Sequence, residues 1–66
     1  MKTAADVVRQ ARQAREKAGH ARRLAAGQAG DVHERLLAYA QELDEEAALL
    51  EREAEELDEG SSKNMG

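Results

Sequence analysis

Residues 36–57, LLAYAQELDEEAALLEREAEEL, carry the pattern that decides the fold of this chain. Leucine and alanine alternate there at spacings of four and three residues. This averages to the repeat of about 3.5 residues that is typical of supercoiled helices, and it places every member on one side of an α-helix. The alternating residues are Leu36, Ala40, Leu43, Ala47, Leu50, Ala54 and Leu57. The stretch therefore predicts a long amphipathic helix with one apolar seam.

An earlier stretch of the chain has the same spacing but uses alanine almost throughout. Its members are Ala4, Val7, Ala11, Ala14, Ala18, Ala21 and Ala25. Residues 27–30 separate the two stretches and contain two glycines, which favour a turn. Because the connection is this short, we predict that the two helices run antiparallel as a hairpin.

Capping residues indicate where each helix begins and ends. Thr3 followed by Asp6 is typical of an N-terminal capping box, and Asp31 followed by Glu34 repeats that spacing at the second helix. Gly27 is expected to take the left-handed conformation with which many helices end.

These signals bound two helices of unequal length. They are predicted over about residues 4–26 and 32–59, in one helical-hairpin domain of residues 1–60, followed by a disordered tail of residues 61–66. Gly19 lies inside the first helix. It is either a tolerated glycine on a partly exposed face or a point where another backbone approaches closely.

The hairpin predicts which residues of the two seams meet. Folding the chain about its turn places residue i opposite roughly residue 57 − i. Ala14 then lies opposite Leu43, and Val7 lies opposite Leu50. Small residues let the helix axes approach, and leucines fill the space across from them, which is how a core packs without voids.

Charged residues beside the seams have opposite signs on the two helices. The first helix carries Arg15, Lys17 and Arg22 there, and the second carries Asp44, Glu46, Glu51, Glu53 and Asp58. The whole halves differ in the same way, because residues 1–28 have seven basic and two acidic residues, whereas residues 31–59 have two and twelve. Opposite charges at flanking positions favour one helix pairing over others.

The composition predicts that a single hairpin does not fold stably on its own. The chain has 66 residues, 41% of them hydrophobic, with a single tyrosine as its only aromatic residue and no cysteine. Chains this short usually need a disulfide, a metal or a partner to fold stably. We therefore predict an all-α fold in which antiparallel hairpins associate into a four-helix bundle, as a homodimer or alternatively a tetramer. The predicted hairpin and oligomer core is Val7, Ala11, Ala14, Ala18, Ala21, Leu24, Leu36, Leu37, Ala40, Leu43, Ala47, Leu50, Ala54 and Leu57.

The chain also resembles known helical hairpins. Residues 31–43, DVHERLLAYAQEL, and the Arg- and Ala-rich residues 8–12 resemble short alphaproteobacterial helical-hairpin proteins of unknown function. The plan is similar to that of the repressor-of-primer family of plasmid copy-number regulators. That second resemblance implies a hairpin that dimerises into a four-helix bundle and binds paired RNA loops.

The residue types present argue against catalysis and against a cofactor. The chain has no cysteine, and its serines, Ser61 and Ser62, fall in the predicted tail, so no activated nucleophile is expected. His20 and His33 are thirteen residues apart and lack the paired Glu-x-x-His motifs of metal-binding bundles. We expect His33 to be a partly exposed histidine with one hydrogen bond, and we expect no bound metal.

Three functions remain open on the sequence alone. The leading hypothesis is a non-enzymatic homodimer in the cytoplasm that acts as a protein-interaction or regulatory module. No apolar run is long enough to span a bilayer, so no membrane partner is expected. An alternative is nucleic-acid binding through the basic outer face of the first helix, formed by Lys2, Arg9, Arg12 and Arg23. A further alternative is an acidic decoy that binds a basic partner through the second helix.

Overall fold

Two helices form the part of the chain that the computed structural model describes, which is the backbone of residues 3–65 and the side chains of residues 3–58. Helix α1 spans Ala4–Ala26 and helix α2 spans Gly30–Met65. The two helices pack against each other along α1. The predicted all-α antiparallel hairpin is confirmed. Association of hairpins into a bundle involves further chains and stays a prediction.

The start of α1 is fixed by the predicted capping box. The backbone N–H of Asp6 donates to Thr3 Oγ1 at 3.2 Å, and the backbone N–H of Thr3 donates to Asp6 Oδ2 at 3.4 Å. Thr3 has extended backbone angles, φ −109° and ψ 164°, as an N-cap residue requires. Two of the amides that have no partner inside the helix are thereby satisfied.

The glycine with a left-handed backbone in the turn is not the one that was predicted. Gly27 has φ −94° and ψ 4°, and the positive φ, 64°, belongs to Gly30. The N–H groups of Gly27 and Gln28 donate to the carbonyl oxygens of Leu24 and Ala25 at 3.1 and 3.0 Å, so the last turn of α1 tightens without leaving the right-handed region. The reversal of the chain is completed at Gly30, where a side chain would be strained.

The two ends of α2 also lie beyond their predicted positions. The helix begins at Gly30 rather than residue 32, so Asp31 lies in its first turn, where a negative charge suits the helix dipole. It continues to Met65, so the predicted end near residue 59 was wrong, and the backbone of 61–65 is helical where a disordered tail was predicted. A helix tolerates a glycine such as Gly60 at about 1 kcal/mol, and this segment has no proline to end it. Gly66 lies outside the described residues.

The core is the predicted seam. Its buried members are Val7, Ala11, Ala14, Ala18, Ala21, Ala25, Ala40, Leu43, Ala47 and Ala54, and Leu36 and Leu50 are partly buried beside them. All but two of the buried members are alanine, so the helices lie close together and bury little side-chain volume between them. The seam positions confirmed here account for most of the predicted core.

Three predicted core leucines are exposed in the hairpin. Leu57 is 39% exposed, because the residue that would lie opposite it falls before Ala4, where α1 begins. Leu24 and Leu37 are 48% and 41% exposed, because they lie beside the seam rather than in it. The assignment of Leu57 to the hairpin core was therefore wrong. Leu24 and Leu37 were predicted to contribute to an oligomer core from positions beside the seam, and that role stays a prediction.

Truncating the largest buried side chain of α2 should test the seam. Leu43 is 9% exposed, so Leu43→Ala should lower the free energy of unfolding by about 2–5 kcal/mol in a urea titration. The matched control is Leu49→Ala, because Leu49 is 65% exposed and its truncation should change stability by less than about 0.5 kcal/mol. Equal effects of the two changes would show that the leucine seam is not the core.

Gly19 and Gly30 provide a second matched pair. A side chain added at Gly19 would meet no atom within 4 Å, so no other backbone of this chain approaches it, and Gly19→Ala should stabilise the helix by roughly 1 kcal/mol. Gly30→Ala should instead destabilise the protein by about 1 kcal/mol or more, because the left-handed backbone at this position disfavours a side chain. Thermal unfolding followed by circular dichroism measures both, and shifts of the same sign would contradict this assignment.

Candidate interaction surfaces

One side of the hairpin carries a ladder of ion pairs between the helices. Arg15 donates to Glu51 through both Nε, at 3.0 Å, and Nη2, at 2.6 Å. Its Nη1 lies 3.5 Å from Asp44 Oδ1, and Arg22 Nη2 also donates to Asp44. A bidentate guanidinium–carboxylate pair fixes the relative position of two helices more closely than a single contact does.

Sequence spacing explains why these four side chains meet. Arg15 and Arg22 are seven residues apart, and so are Asp44 and Glu51, so each pair lies along one side of its helix. We call this side the ladder flank. Its members are Val8, Arg15 and Arg22 of α1 and Leu37, Asp44, Glu51 and Asp58 of α2. The predicted pairing of a basic edge with an acidic edge is confirmed on this flank.

The ion pairs shift the pKa values of two ladder residues. The hydrogen bonds from Arg15, together with its positive charge, lower the pKa of Glu51 below its ordinary value of 4.5. The same contacts raise the pKa of Arg15. Both side chains remain about half exposed to solvent, so the ladder contributes more to register than to stability.

The lowered pKa of Glu51 predicts a pH effect with a definite sign. A depressed carboxylate pKa stabilises the fold above pH 4.5, and this contribution is lost as the pH falls below that value through the folded-state pKa. Glu51→Gln should therefore lower the melting temperature near neutral pH and reduce the further drop between about pH 6 and pH 3.

The control for this change is Glu42→Gln, because Glu42 is exposed and makes no ion pair with another described side chain. It should retain the pH dependence of the unmodified protein. An unchanged pH dependence in Glu51→Gln as well would show that the ladder does not form in solution.

The opposite side of the seam has a different character. Arg15 follows the seam residue Ala14, whereas Lys17 precedes the seam residue Ala18, so the two charges lie on opposite sides. We call this second side the Tyr39 flank. Its members, again seven residues apart, are Gln10, Lys17 and Leu24 of α1 and Val32, Tyr39, Glu46 and Glu53 of α2. An open groove of about 190 Å³ runs along its centre, lined by Gln10, Gln13, Ala14, Lys17, Leu43, Glu46 and Leu50.

Large apolar side chains are exposed on both flanks, but not equally. The ladder flank exposes Val8 and Leu37, at opposite ends of the hairpin. The Tyr39 flank exposes Leu24, Val32 and Tyr39, each by about half, and all three are at the end with the turn. We call these three residues the turn-end patch.

His33 forms one hydrogen bond that ties the start of α2 to the end of α1. Its Nδ1–H donates to the carbonyl oxygen of Ala25 at 2.7 Å, and the ring is partly buried. The predicted partly exposed histidine with one hydrogen bond is thus confirmed. His20 is exposed on α1. Among the described side chains, no three His, Asp or Glu residues converge as a metal site would need.

The predicted basic face lies on the solvent side of α1. Arg9, Arg12 and Arg23 are exposed, and Lys2 lies outside the described residues. Arg9 Nη1 is 3.9 Å from Asp6 Oδ1, so one of the three charges has an acidic neighbour on its own helix. Glu16 lies between Arg12 and Arg23 along the chain.

A second groove, at the open end of the hairpin, was not predicted from the sequence. It has a volume of about 320 Å³ and is lined by Ala4, Ala5, Val8, Ala54, Glu51, Glu55 and Asp58. Alanine and valine supply the apolar part of its lining, and three acids supply the rest. The small side chains of Ala4, Ala5 and Ala54 leave this space open.

Comparison of this chain with protein-family models, with curated proteins and with solved structures finds no match. Neither described helix is both long and apolar enough to cross a membrane.

Proposed function

We propose that this protein is a non-enzymatic, cytoplasmic homodimer of helical hairpins that acts as a small protein-interaction or regulatory module. The observation that carries the proposal is the combination of an alanine seam with half-exposed large apolar side chains beside it. Leu24, Val32 and Tyr39 are each 48–50% exposed in the single hairpin. A second copy of the chain would cover such residues.

The thinness of the seam supports this proposal energetically. Val7 and Leu43 are the only buried side chains larger than alanine among the described residues. Burial of apolar area stabilises by about 25 cal/mol per Å², so an alanine seam contributes little for each residue ordered. A short chain of this kind gains the rest of its stability most directly from association with another chain.

Nucleic-acid binding has weaker support. Arg9, Arg12 and Arg23 are exposed and share the outer side of α1, which suits contacts with phosphates. Glu16 lies within the same stretch, and α1 has no aromatic residue on which a base could stack. We keep this function as an alternative, in keeping with the repressor-of-primer plan.

The acidic-decoy alternative has one observation in its favour. The lining of the groove at the open end combines apolar residues with the carboxylates of Glu51, Glu55 and Asp58. A basic amphipathic segment of another protein has the complementary chemistry. Glu51 is already engaged by Arg15, so two of the three carboxylates are available for such a partner.

Sedimentation equilibrium over a range of micromolar concentrations tests the proposed function directly. We expect a species of twice the 7.2 kDa chain mass, with a melting temperature that rises with protein concentration, because association couples to folding. A helical monomer with a concentration-independent melting temperature would contradict the proposal. If such a monomer changes the electrophoretic mobility of RNA or DNA in a salt-dependent manner, nucleic-acid binding through the basic face of α1 would be favoured instead.

A further inference from the structure

We infer that the Tyr39 flank is the surface through which two copies of this chain pair, with both turns at the same end of the dimer. This inference rests on the proposed function, since it requires a homodimer. It specifies which of the two flanks is covered and how the second copy is oriented. The inference is based on two neighbouring features of this flank, the turn-end patch and the central groove, whose two walls carry opposite charges.

The ladder flank is the less favourable surface for a second copy. Its centre is occupied by Arg15, Arg22, Asp44 and Glu51, which satisfy one another while about a quarter to a half exposed to water. Covering this flank would remove four charges from solvent, and the attraction within such pairs often fails to offset that loss. Its exposed apolar residues, Val8 and Leu37, lie apart at opposite ends.

The Tyr39 flank exposes three large apolar side chains at one end of the hairpin, while its central groove is lined by Gln10, Gln13, Lys17 and Glu46 beside Leu43 and Leu50. Leu24, Val32 and Tyr39 all lie towards the turn end of this flank, each 48–50% exposed. Leu50 lines the central groove, and Leu57 follows it by seven residues and is 39% exposed. A tyrosine suits the edge of such a contact, because its ring is apolar while its hydroxyl stays in water.

Charge determines how the second copy lies on this flank. If the turns are at the same end, each α1 packs on the other copy's α2, so the wall of the groove with Lys17 meets the wall with Glu46. If the turns are at opposite ends, α2 packs on α2, which places two helices rich in glutamate against each other. Like charges across an interface are unfavourable, so the first arrangement is preferred.

The apolar residues favour the same arrangement. A two-fold axis parallel to the helices places each turn-end patch against its equivalent in the other copy, as self-complementary dimer interfaces require. With the turns at opposite ends, Leu24 and Val32 would instead meet the open end of the second hairpin, where this flank carries Gln10 and Glu53.

The available area is consistent with a dimer of moderate affinity. The hairpin is 17 Å wide, and the 23 residues of α1 extend over about 35 Å. Treated as flat, the part of the flank that both helices form therefore has an area on the order of 600 Å². Standard interfaces bury about 800 Å² on each partner. An interface of this size lies at the low end of the range for specific complexes, where weaker associations are found.

Spin labels at the two ends of α1 distinguish the arrangements. The described chain has no cysteine, so Gln28→Cys in the turn and Ala5→Cys near the open end can each be labelled singly. Dipolar electron resonance should give distances below about 30 Å within Gln28→Cys dimers and within Ala5→Cys dimers, because neighbouring helix axes are about 10 Å apart. Heterodimers of the two variants should give about 35 Å or more, the length of α1.

The opposite pattern, long within each variant and short in the heterodimer, would overturn the inference and leave the proposed homodimer intact. Loss of dipolar coupling in all three samples, together with monomeric sedimentation, would show that the proposed function itself fails. The two failures are therefore distinguishable in one set of measurements.

A pair of substitutions tests the choice of flank independently. Leu24 and Leu37 are the same residue type with similar exposure, 48% and 41%, on opposite flanks. Leu24→Glu should raise the dimer dissociation constant by about 100-fold or more, because it buries a carboxylate in an apolar contact. Leu37→Glu should leave it within about threefold, since it stays in water. Dissociation by Leu37→Glu alone would place the interface on the ladder flank and overturn the inference.

Discussion

The close approach of two helices along an alanine seam is the constraint on which the rest of this structure depends. Alanine at Ala11, Ala14, Ala18 and Ala21 brings the axis of α2 near that of α1, and Leu43 fills the space that remains. Close approach brings the flanking side chains within reach of one another, so the Arg15–Glu51 pair forms with direct hydrogen bonds. Larger residues in the seam would bury more area but would hold these charges apart.

The same constraint means that the hairpin buries little apolar surface, which is the link between the fold and the proposed function. The two flanks have different roles. The ladder flank fixes how α1 and α2 lie relative to each other through charges that stay in water. The Tyr39 flank keeps its apolar side chains uncovered, and the proposed second copy supplies the contacts that the seam itself lacks.

The features that depend on spacing could be predicted from the sequence, and those that depend on local backbone geometry could not. The seams, the Thr3 capping box and the charged edges all follow from intervals of three, four and seven residues. The left-handed residue was assigned to Gly27 instead of Gly30, because either glycine allows such a turn and only the path of the backbone decides between them. The end of α2 was misplaced because Gly60 weakens a helix without ending it.

Besides the lack of an opposing residue in α1, a mismatch in helical repeat contributes to the exposure of Leu57. A seven-residue repeat drifts by about 20° per heptad around a straight α-helix, so a row of leucines at this interval moves gradually off the seam. Leu43 is buried, Leu50 is partly buried and Leu57 is exposed, in that order along α2. Seven residues fall about 20° short of two full turns, so the drift is towards the Tyr39 flank, whose central groove is lined by both Leu43 and Leu50.

The turn at residues 27–30 has a kinetic consequence. Because facing residues lie at i and roughly 57 − i, the contacts nearest the turn join residues close in sequence, and each further contact closes a slightly longer loop. A chain organised in this way can assemble from the turn outward, with no step that requires a large loss of chain entropy. Helical proteins with such local contacts fold in microseconds to milliseconds. The hairpin is therefore expected to form within each chain faster than chains at micromolar concentration meet, which makes the folded hairpin, rather than the extended chain, the species that associates.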